Sequence, residues 1–183
     1  MKTKVLTLAL CALSLNAMAV KKNIKQLEFD ASKGKQMELT MPRGELVRYT
    51  AYEHLYFVTN VEDTTYQYLN IYIPEGATEA TPIFLRTYVG GYMASKAGQP
   101  QASDATGRAL KEGYVLVIPG SRGRNSVITK GKKTIYTGRA PKAILDLKAA
   151  IRYLRHFDKQ IPGNTERIIT DGTSAGGAMS ALM

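Results

Sequence analysis

The sequence feature that most restricts the fold is a serine held between two glycines, Gly172-Thr173-Ser174-Ala175-Gly176. The apolar stretch Ile168-Ile169-Thr170 precedes it, and a run rich in small residues begins at Gly177. This order predicts a strand, a sharp turn and a helix, with the serine hydroxyl projecting from the turn. The flanking glycines are needed because side chains there would collide with the neighbouring strand and helix. The pattern therefore makes Ser174 a candidate nucleophile on a strained turn.

The residues before this turn alternate between strand and helix patterns. The predicted elements are strands at residues 45–58, 65–73, 82–88, 114–118 and 167–170, and helices at residues 104–112, after Pro141 and from Gly177. The continuous apolar run 114–118 is typical of a strand buried on both faces. Alternation of this kind predicts parallel strands joined by crossover helices, and the two earliest strands are expected to form an antiparallel edge. The predicted fold class is therefore α/β.

Residues 1–19 have the pattern of an export signal. Two early lysines precede an apolar run at residues 5–15, and Ala17-Met18-Ala19 matches the small-x-small cleavage pattern. The run is shorter than the roughly 20 apolar residues that span a bilayer. We therefore expect cleavage after Ala19 and a secreted or periplasmic protein with no integral membrane segment after signal removal.

The rest of the sequence divides into a polar lead-in segment, residues 20–44, and an incomplete α/β domain, residues 45–183. The lead-in is rich in lysine and poor in large apolar residues, so it is expected to be weakly structured. The final helix begins only at Gly177 and shows no stop signal. We therefore expect the domain to be truncated soon after the serine turn.

Charge and residue content exclude several classes of function. The formal net charge of +10 is spread along the chain, and no nucleic-acid-binding motif accompanies it, so no nucleic-acid partner is expected. The one cysteine, Cys11, lies within the predicted signal peptide. The mature chain therefore has no disulfide and no cysteine nucleophile. No group of His, Asp and Glu residues has metal-ligand spacing, so we expect no metal site. No cofactor is expected either, because chemistry at a serine nucleophile requires none.

A glycine pair at Gly90-Gly91 follows the strand at residues 82–88. In a fold with a strand-to-helix nucleophile turn, this loop supplies one donor to the oxyanion hole, and the residue after the serine supplies the other. The predicted donors are the backbone N–H groups of Gly91 and Ala175. An ordinary turn is the alternative interpretation of the glycine pair.

Most of the mature chain resembles bacterial tannases (tannin acylhydrolases), which belong with feruloyl and related carboxylesterases. The segments that carry the resemblance are residues 87–92, 120–124, 138–141, 147–153, 162–164, 167–169 and 172–178, within a similar region that spans residues 45–183. The resemblance implies the N-terminal portion of an α/β-hydrolase fold, with a mostly parallel sheet. It also implies a serine ester hydrolase that acts on small-molecule esters of gallic or related phenolic acids through an acyl-enzyme. Ser174 would be the nucleophile, Gly91 and Ala175 the oxyanion donors, and Gly90, Gly172 and Gly176 the supporting turn residues.

The base that such a serine needs is missing from this sequence. In this fold the acid and the histidine follow the serine along the chain, but residues 175–183 contain neither. His54 and His156 both precede Ser174, and Asp171, at the end of a strand, is not expected to reach a histidine. We therefore expect the chain by itself to be inactive.

Three hypotheses remain open on the sequence alone: a tannase-like esterase, a feruloyl or general carboxylesterase, and a catalytically inactive truncated fragment. Two arginines also have alternative interpretations. Arg122 and Arg124 follow a buried strand and either face the site or join their loop to a neighbouring element by a salt bridge.

Overall fold

The structure, a computed structural model, describes residues 20–183, and the predicted signal peptide lies outside the described residues. Its strands are β1 (Lys22–Asn23), β2 (Lys35–Thr40), β3 (Leu46–Tyr56), β4 (Asn60–Val61), β5 (Tyr68–Pro74), β6 (Pro82–Thr87), β7 (Val115–Pro119), β8 (Val127–Lys130), β9 (Lys133–Tyr136) and β10 (Asn164–Gly172). Its helices are α1 (Ala105–Lys111), α2 (Lys142–His156) and α3 (Ala175–Leu182), with a short 3-10 turn at Ala31–Lys33.

A six-stranded mixed sheet of order β10-β6-β7-β5-β3-β2 forms the centre of the fold. Strands β10, β6 and β7 run parallel, whereas β5, β3 and β2 are joined by antiparallel pairing. The predicted α/β class and the antiparallel edge are confirmed. Within the described residues, antiparallel pairs outnumber parallel pairs by three to two, so this part of the sheet is mixed rather than mostly parallel.

Helices on the two faces of the sheet bury separate apolar clusters. Helix α2 supplies Tyr153 and Leu154 to a cluster with Leu69, Ile71, Leu85 and Val117. On the other face, Leu110 of α1 packs with Tyr72, Leu116 and Ile118. Neighbouring side chains of β5 therefore enter opposite clusters, as the alternation in residues 65–73 predicts. A third, smaller cluster joins Leu147 of α2 to Ala175 and Met179 of α3.

Three regions of the chain differ from the sequence-based expectations. Strand β2 lies inside the predicted lead-in segment and pairs along β3, where its mostly exposed side chains carry little apolar pattern. Residues 127–136, where the sequence predicts no element, form a mostly exposed hairpin in which β8 pairs with β9. Strand β10 has nine residues rather than four and is only partly buried, with Ile169 46% exposed, because it pairs with β6 on one side only.

Within residues 20–183, no helix combines the length and apolar character needed to cross a membrane.

Candidate active site

Ser174 occupies the turn between β10 and α3, as the sequence predicts. Its φ of 57° and ψ of −122° place it in a backbone region that residues with a side chain rarely adopt. Such a conformation is unfavourable and persists only where the surrounding structure enforces it, which is common at catalytic positions. The residue is solvent-exposed, whereas Ala175, the first residue of α3, is buried. The turn therefore presents the serine hydroxyl to solvent above a packed helix.

The glycines around Ser174 are required by close approaches of backbone to backbone. A Cβ on Gly172 would lie 2.4 Å from the carbonyl carbon and oxygen of Gly176. A Cβ on Gly176 would lie 3.0 Å from the carbonyl oxygen of Val89 and 3.2 Å from that of Thr87. Gly172 is also the register partner of Thr87 across the β10–β6 pair. The serine turn is therefore packed against the end of β6, where the Gly90-Gly91 loop begins.

Substituting Gly172 with alanine is expected to destabilise the fold by about 1–3 kcal/mol, because the new methyl group has no space and the backbone must move. Gly90→Ala is the matched control, since a Cβ there meets no atom within 4 Å and its φ is not positive. We expect this control to change stability by no more than about 0.5 kcal/mol. Urea denaturation of both variants measures the difference, and equal destabilisation would contradict the packing argument.

The glycine pair forms a turn with two consecutive residues of positive φ, at 56° for Gly91 and 58° for Tyr92. The N–H of Met93 donates to the carbonyl of Gly90 at 2.9 Å and closes the turn. Among the described residues, neither the N–H of Gly91 nor that of Ala175 meets a hydrogen-bond acceptor. Within residues 20–183, two N–H groups without a recorded acceptor thus lie on segments that follow the register-paired ends of β6 and β10.

An ion pair supports the residue that precedes Ser174. Asp171 of β10 and Arg86 of β6 are register partners, and the Arg86 guanidinium donates to the Asp171 carboxylate. Arg86 Nη2 also donates to Thr173 Oγ1 at 3.4 Å. The Asp171 carboxylate is therefore paired with an arginine. This pairing is in keeping with the expectation that Asp171 does not orient a histidine.

The two histidines lie away from the serine turn. His54 is on β3, which three strands separate from β10, a spacing of about 19 Å at the usual distance between strands. Its Nε2 lies 2.9 Å from the Tyr56 hydroxyl, and its ring stacks on Tyr68 at 4.2 Å. Burial and the nearby Lys22 lower the pKa of His54 below its ordinary value of 6.5. His156 ends α2, with its ring against Phe157 at 4.7 Å.

The contacts of Arg122 distinguish between its two interpretations. Arg122 is buried, and its guanidinium bonds to Asp146 of α2 and to Glu62. This is the salt-bridge interpretation. Arg124 is exposed, and its backbone N–H donates to the Tyr92 carbonyl at 2.8 Å. The sequence analysis did not identify Asp146 or Glu62. Asp146 looks like an ordinary polar residue of a helix, and Glu62 looks like an ordinary loop residue.

A buried carboxyl beside this network is expected to make stability depend on pH. Asp63 accepts from the Thr65 N–H at 3.0 Å, and burial raises the pKa of its carboxyl above the ordinary value of 3.8. The native protein thus holds this proton to a higher pH than the unfolded chain does. The contribution of Asp63 to the free energy of unfolding therefore falls as pH rises from 3.8 through the native pKa of this carboxyl. Above that pH the contribution stays at its lower value.

Asp63→Asn removes this dependence. Relative to the unsubstituted protein, the Asp63→Asn variant is therefore expected to be more stable at pH 7 than at pH 4. Its free energy of unfolding minus that of the unsubstituted protein is larger at pH 7. Urea denaturation at several pH values measures the difference. A difference between the two proteins that does not change with pH would contradict the assignment.

Two cavities of the described residues lie apart from the serine turn. One of about 580 Å³ lies beside α2 and is lined by Leu145, Ala149 and Arg152, among others. Another of about 450 Å³ lies beside β3 and is lined by Tyr52 and His54, among others. Ser174 lines neither of these cavities and is exposed to solvent.

A strained serine that follows a parallel strand and packs against a glycine turn defines a protein of the α/β-hydrolase type. The chain belongs to the BD-FAE family, whose profile matches residues 69–183, more than half of the sequence. No curated protein matches the chain.

Several solved structures are similar to this chain. The Fusobacterium nucleatum tannase is 41% identical with a TM-score of 0.78, over 86% of this chain and 35% of that one. A tannase from Lactobacillus plantarum is 37% identical with a TM-score of 0.75, over 86% and 36% of the two chains. A tannin acyl hydrolase in complex with ethyl gallate is 35% identical with a TM-score of 0.72, over 84% and 36%. The chain thus spans about a third of the length of these structures.

Proposed function

We propose that this sequence carries the nucleophile of a serine carboxylic-ester hydrolase of the tannase type, which cleaves esters of gallic or related phenolic acids. The observation that carries the proposal is the strained Ser174 beside the free N–H groups of Gly91 and Ala175. The choice of substrate is supported by similarity to tannases, one of them in complex with ethyl gallate.

In the proposed reaction, Ser174 Oγ attacks the ester carbonyl and forms a tetrahedral intermediate. The oxyanion would accept hydrogen bonds from Gly91 and Ala175, and each such bond contributes roughly 3 kcal/mol to the transition state. The positive end of the α3 dipole acts in the same direction. Collapse of the intermediate expels the alcohol and leaves an acyl-enzyme, from which water releases the acid. A histidine base oriented by a carboxylate must serve both steps.

The experiment that tests the proposal compares methyl gallate with methyl ferulate as substrates for the protein expressed from its full open reading frame. Faster turnover of methyl gallate supports the tannase-type assignment. Faster turnover of methyl ferulate supports a feruloyl esterase, the second candidate, which membership of the BD-FAE family favours. Hydrolysis of neither ester above the rate of a Ser174→Ala variant would overturn the proposal.

We also propose that the 183-residue chain by itself is catalytically inactive, because neither His54 nor His156 lies at the serine turn. A serine hydroxyl without a base is a weak nucleophile at neutral pH. The expected result is hydrolysis of a p-nitrophenyl ester no faster than by Ser174→Ala. Turnover clearly above that control would show that a base within these residues reaches the serine.

Export to the periplasm or the medium is part of the proposal. It predicts that the N-terminal sequence of the exported protein begins Val20-Lys21-Lys22. Recovery of the protein with its first residue intact would contradict it.

A further inference from the structure

The loop that carries the candidate oxyanion donor Gly91 is held by a segment that follows a different strand. Residues 121–125 follow β7, and they bind the loop through four hydrogen bonds. Ser95 and Ser121 exchange two backbone bonds at 2.9 and 2.8 Å, the Arg124 N–H donates to the Tyr92 carbonyl at 2.8 Å, and the Ala94 N–H donates to Asn125 Oδ1 at 2.6 Å. The position of the loop therefore depends on the position of residues 121–125.

The contact between the two segments is also close in space. A Cβ on Gly123 would lie 2.2 Å from the backbone nitrogen of Ala94 and from the carbonyl carbon of Met93. On its other side, Gly123 is covered by Gly138, where a Cβ would lie 2.0 Å from the Gly123 carbonyl oxygen. A shift of the Gly123 backbone would thus be passed directly to Met93 and Ala94, because close-packed interiors transmit displacement.

A single buried carboxylate anchors residues 121–125. Asp146 of α2 has a side chain only 2% exposed. Its Oδ2 accepts from both the backbone N–H and the Nε of Arg122 at 2.9 Å, and its Oδ1 accepts from Arg122 Nη2 at 2.7 Å and from Gln67 Nε2 at 3.0 Å. The bidentate fork fixes orientation as well as distance. Because the backbone of Arg122 is bound too, the carboxylate holds the main chain directly before Gly123.

The outer part of this network completes the charge balance around Arg122. Glu62 accepts hydrogen bonds from Arg122 and Lys142. Burial acts to raise the pKa of Glu62, but the bonds and charges of Lys142 and Arg122 outweigh it and hold that pKa below its ordinary value. Lys142 bonds to Glu62 and makes no bond to Asp146, so it provides a control within the same network.

Helix α2 also contacts the second candidate donor. Leu147, the residue after Asp146, is fully buried and belongs to the same apolar cluster as Val89 and Ala175. One turn of α2 therefore packs in the same cluster as Ala175 through Leu147, and through Asp146 it binds the segment that holds the Gly90-Gly91 loop.

We propose that Asp146 and Arg122 are positioning residues, which hold the Gly90-Gly91 loop at the distance from Ser174 that an oxyanion hole requires. This inference rests on the proposed function for its chemical consequence, but its structural part stands apart from it. Loosening the pair would let the Gly91 N–H leave its place while Ser174 and its turn stay intact. Since oxyanion donors act mainly in the transition state, the loss would fall on kcat and leave KM little changed.

The test measures hydrogen–deuterium exchange of the backbone amides of residues 90–95 in the protein expressed from its full open reading frame. Two altered proteins are compared with the unsubstituted one: Asp146→Asn, and the double variant Arg122→Met with Asp146→Leu. The double variant is included because Asp146→Asn leaves a buried arginine poorly paired, whereas apolar replacement of both partners often preserves folding. Lys142→Gln is the matched control.

We expect exchange of residues 90–95 to rise at least tenfold in both altered proteins, with β5 and β7 unchanged, and to stay unchanged in Lys142→Gln. In hydrolysis assays we expect kcat to fall at least tenfold with KM within twofold. Unchanged exchange in the double variant, or an equal rise throughout the protein, would overturn the inference. Hydrogen–deuterium exchange is measured without turnover. An inactive unsubstituted protein would therefore overturn the proposed function, but the exchange measurement would still test the positioning role of Asp146 and Arg122.

Discussion

Replacing Ser174 with alanine is expected to lower kcat for phenolic-acid ester hydrolysis by about 10⁴-fold or more in the protein expressed from its full open reading frame. The reason is that alanine removes the atom that forms the acyl-enzyme, while the free N–H groups of Gly91 and Ala175 remain. Binding of substrate is expected to persist, because the variant changes one small side chain on an exposed turn. Steady-state kinetics with methyl gallate measures the effect.

The matched control for this variant is Ser180→Ala on α3, the helix that follows Ser174. Within the described residues, the Ser180 hydroxyl is buried without a hydrogen-bond partner, so its removal is expected to cost little. A fluorophosphonate probe is expected to label the unsubstituted protein and Ser180→Ala, but not Ser174→Ala. Labelling of Ser174→Ala at the full rate would place the nucleophile at another residue.

Replacing Leu154 with alanine is expected to lower the free energy of unfolding by about 2–5 kcal/mol. Leu154 lies on α2, is 0% exposed and packs against the sheet in the largest apolar cluster. Truncating its side chain therefore leaves a cavity. Leu145 on the same helix is 51% exposed, and Leu145→Ala is therefore expected to change stability by no more than about 0.5 kcal/mol. Both variants have the same chemistry and similar helix propensity, so chemical denaturation of the pair isolates the effect of burial.

A similar loss in both variants would mean that α2 does not lie against the sheet on the Leu154 face. Loss in Leu145→Ala alone would mean that the helix is rotated about its axis. The test is informative for the candidate site as well, because the same helix carries Asp146 and Leu147.

The candidate site was only partly predictable from the sequence. Ser174, Gly91 and Ala175 lie on segments with a local signature, since a strained turn demands glycine at fixed offsets. The partners of these segments have no such signature. Arg86 and Asp171 are 85 residues apart in the sequence, and they meet only because β6 and β10 are register partners in the sheet.

The alternatives for Arg122 show the same limit. Its spacing after a buried strand was compatible with a residue facing the site and with a salt bridge. The choice depended on Asp146, which lies 24 residues further on and is buried by the packing of α2. An acidic residue on a helix is usually exposed, so nothing in the local pattern marked this one as buried.

The sequence by itself determined the class of the fold and the place of the serine turn. These follow from short-range patterns of apolar residues and glycine, which act on the backbone within a few positions. Only the tertiary structure decided that β2 extends the sheet, that Asp171 pairs with Arg86, and that Asp146 anchors the segment behind the glycine loop. Those outcomes depend on which distant segments meet, because a buried charge or an edge strand is stabilised by its partners and not by its neighbours in the chain.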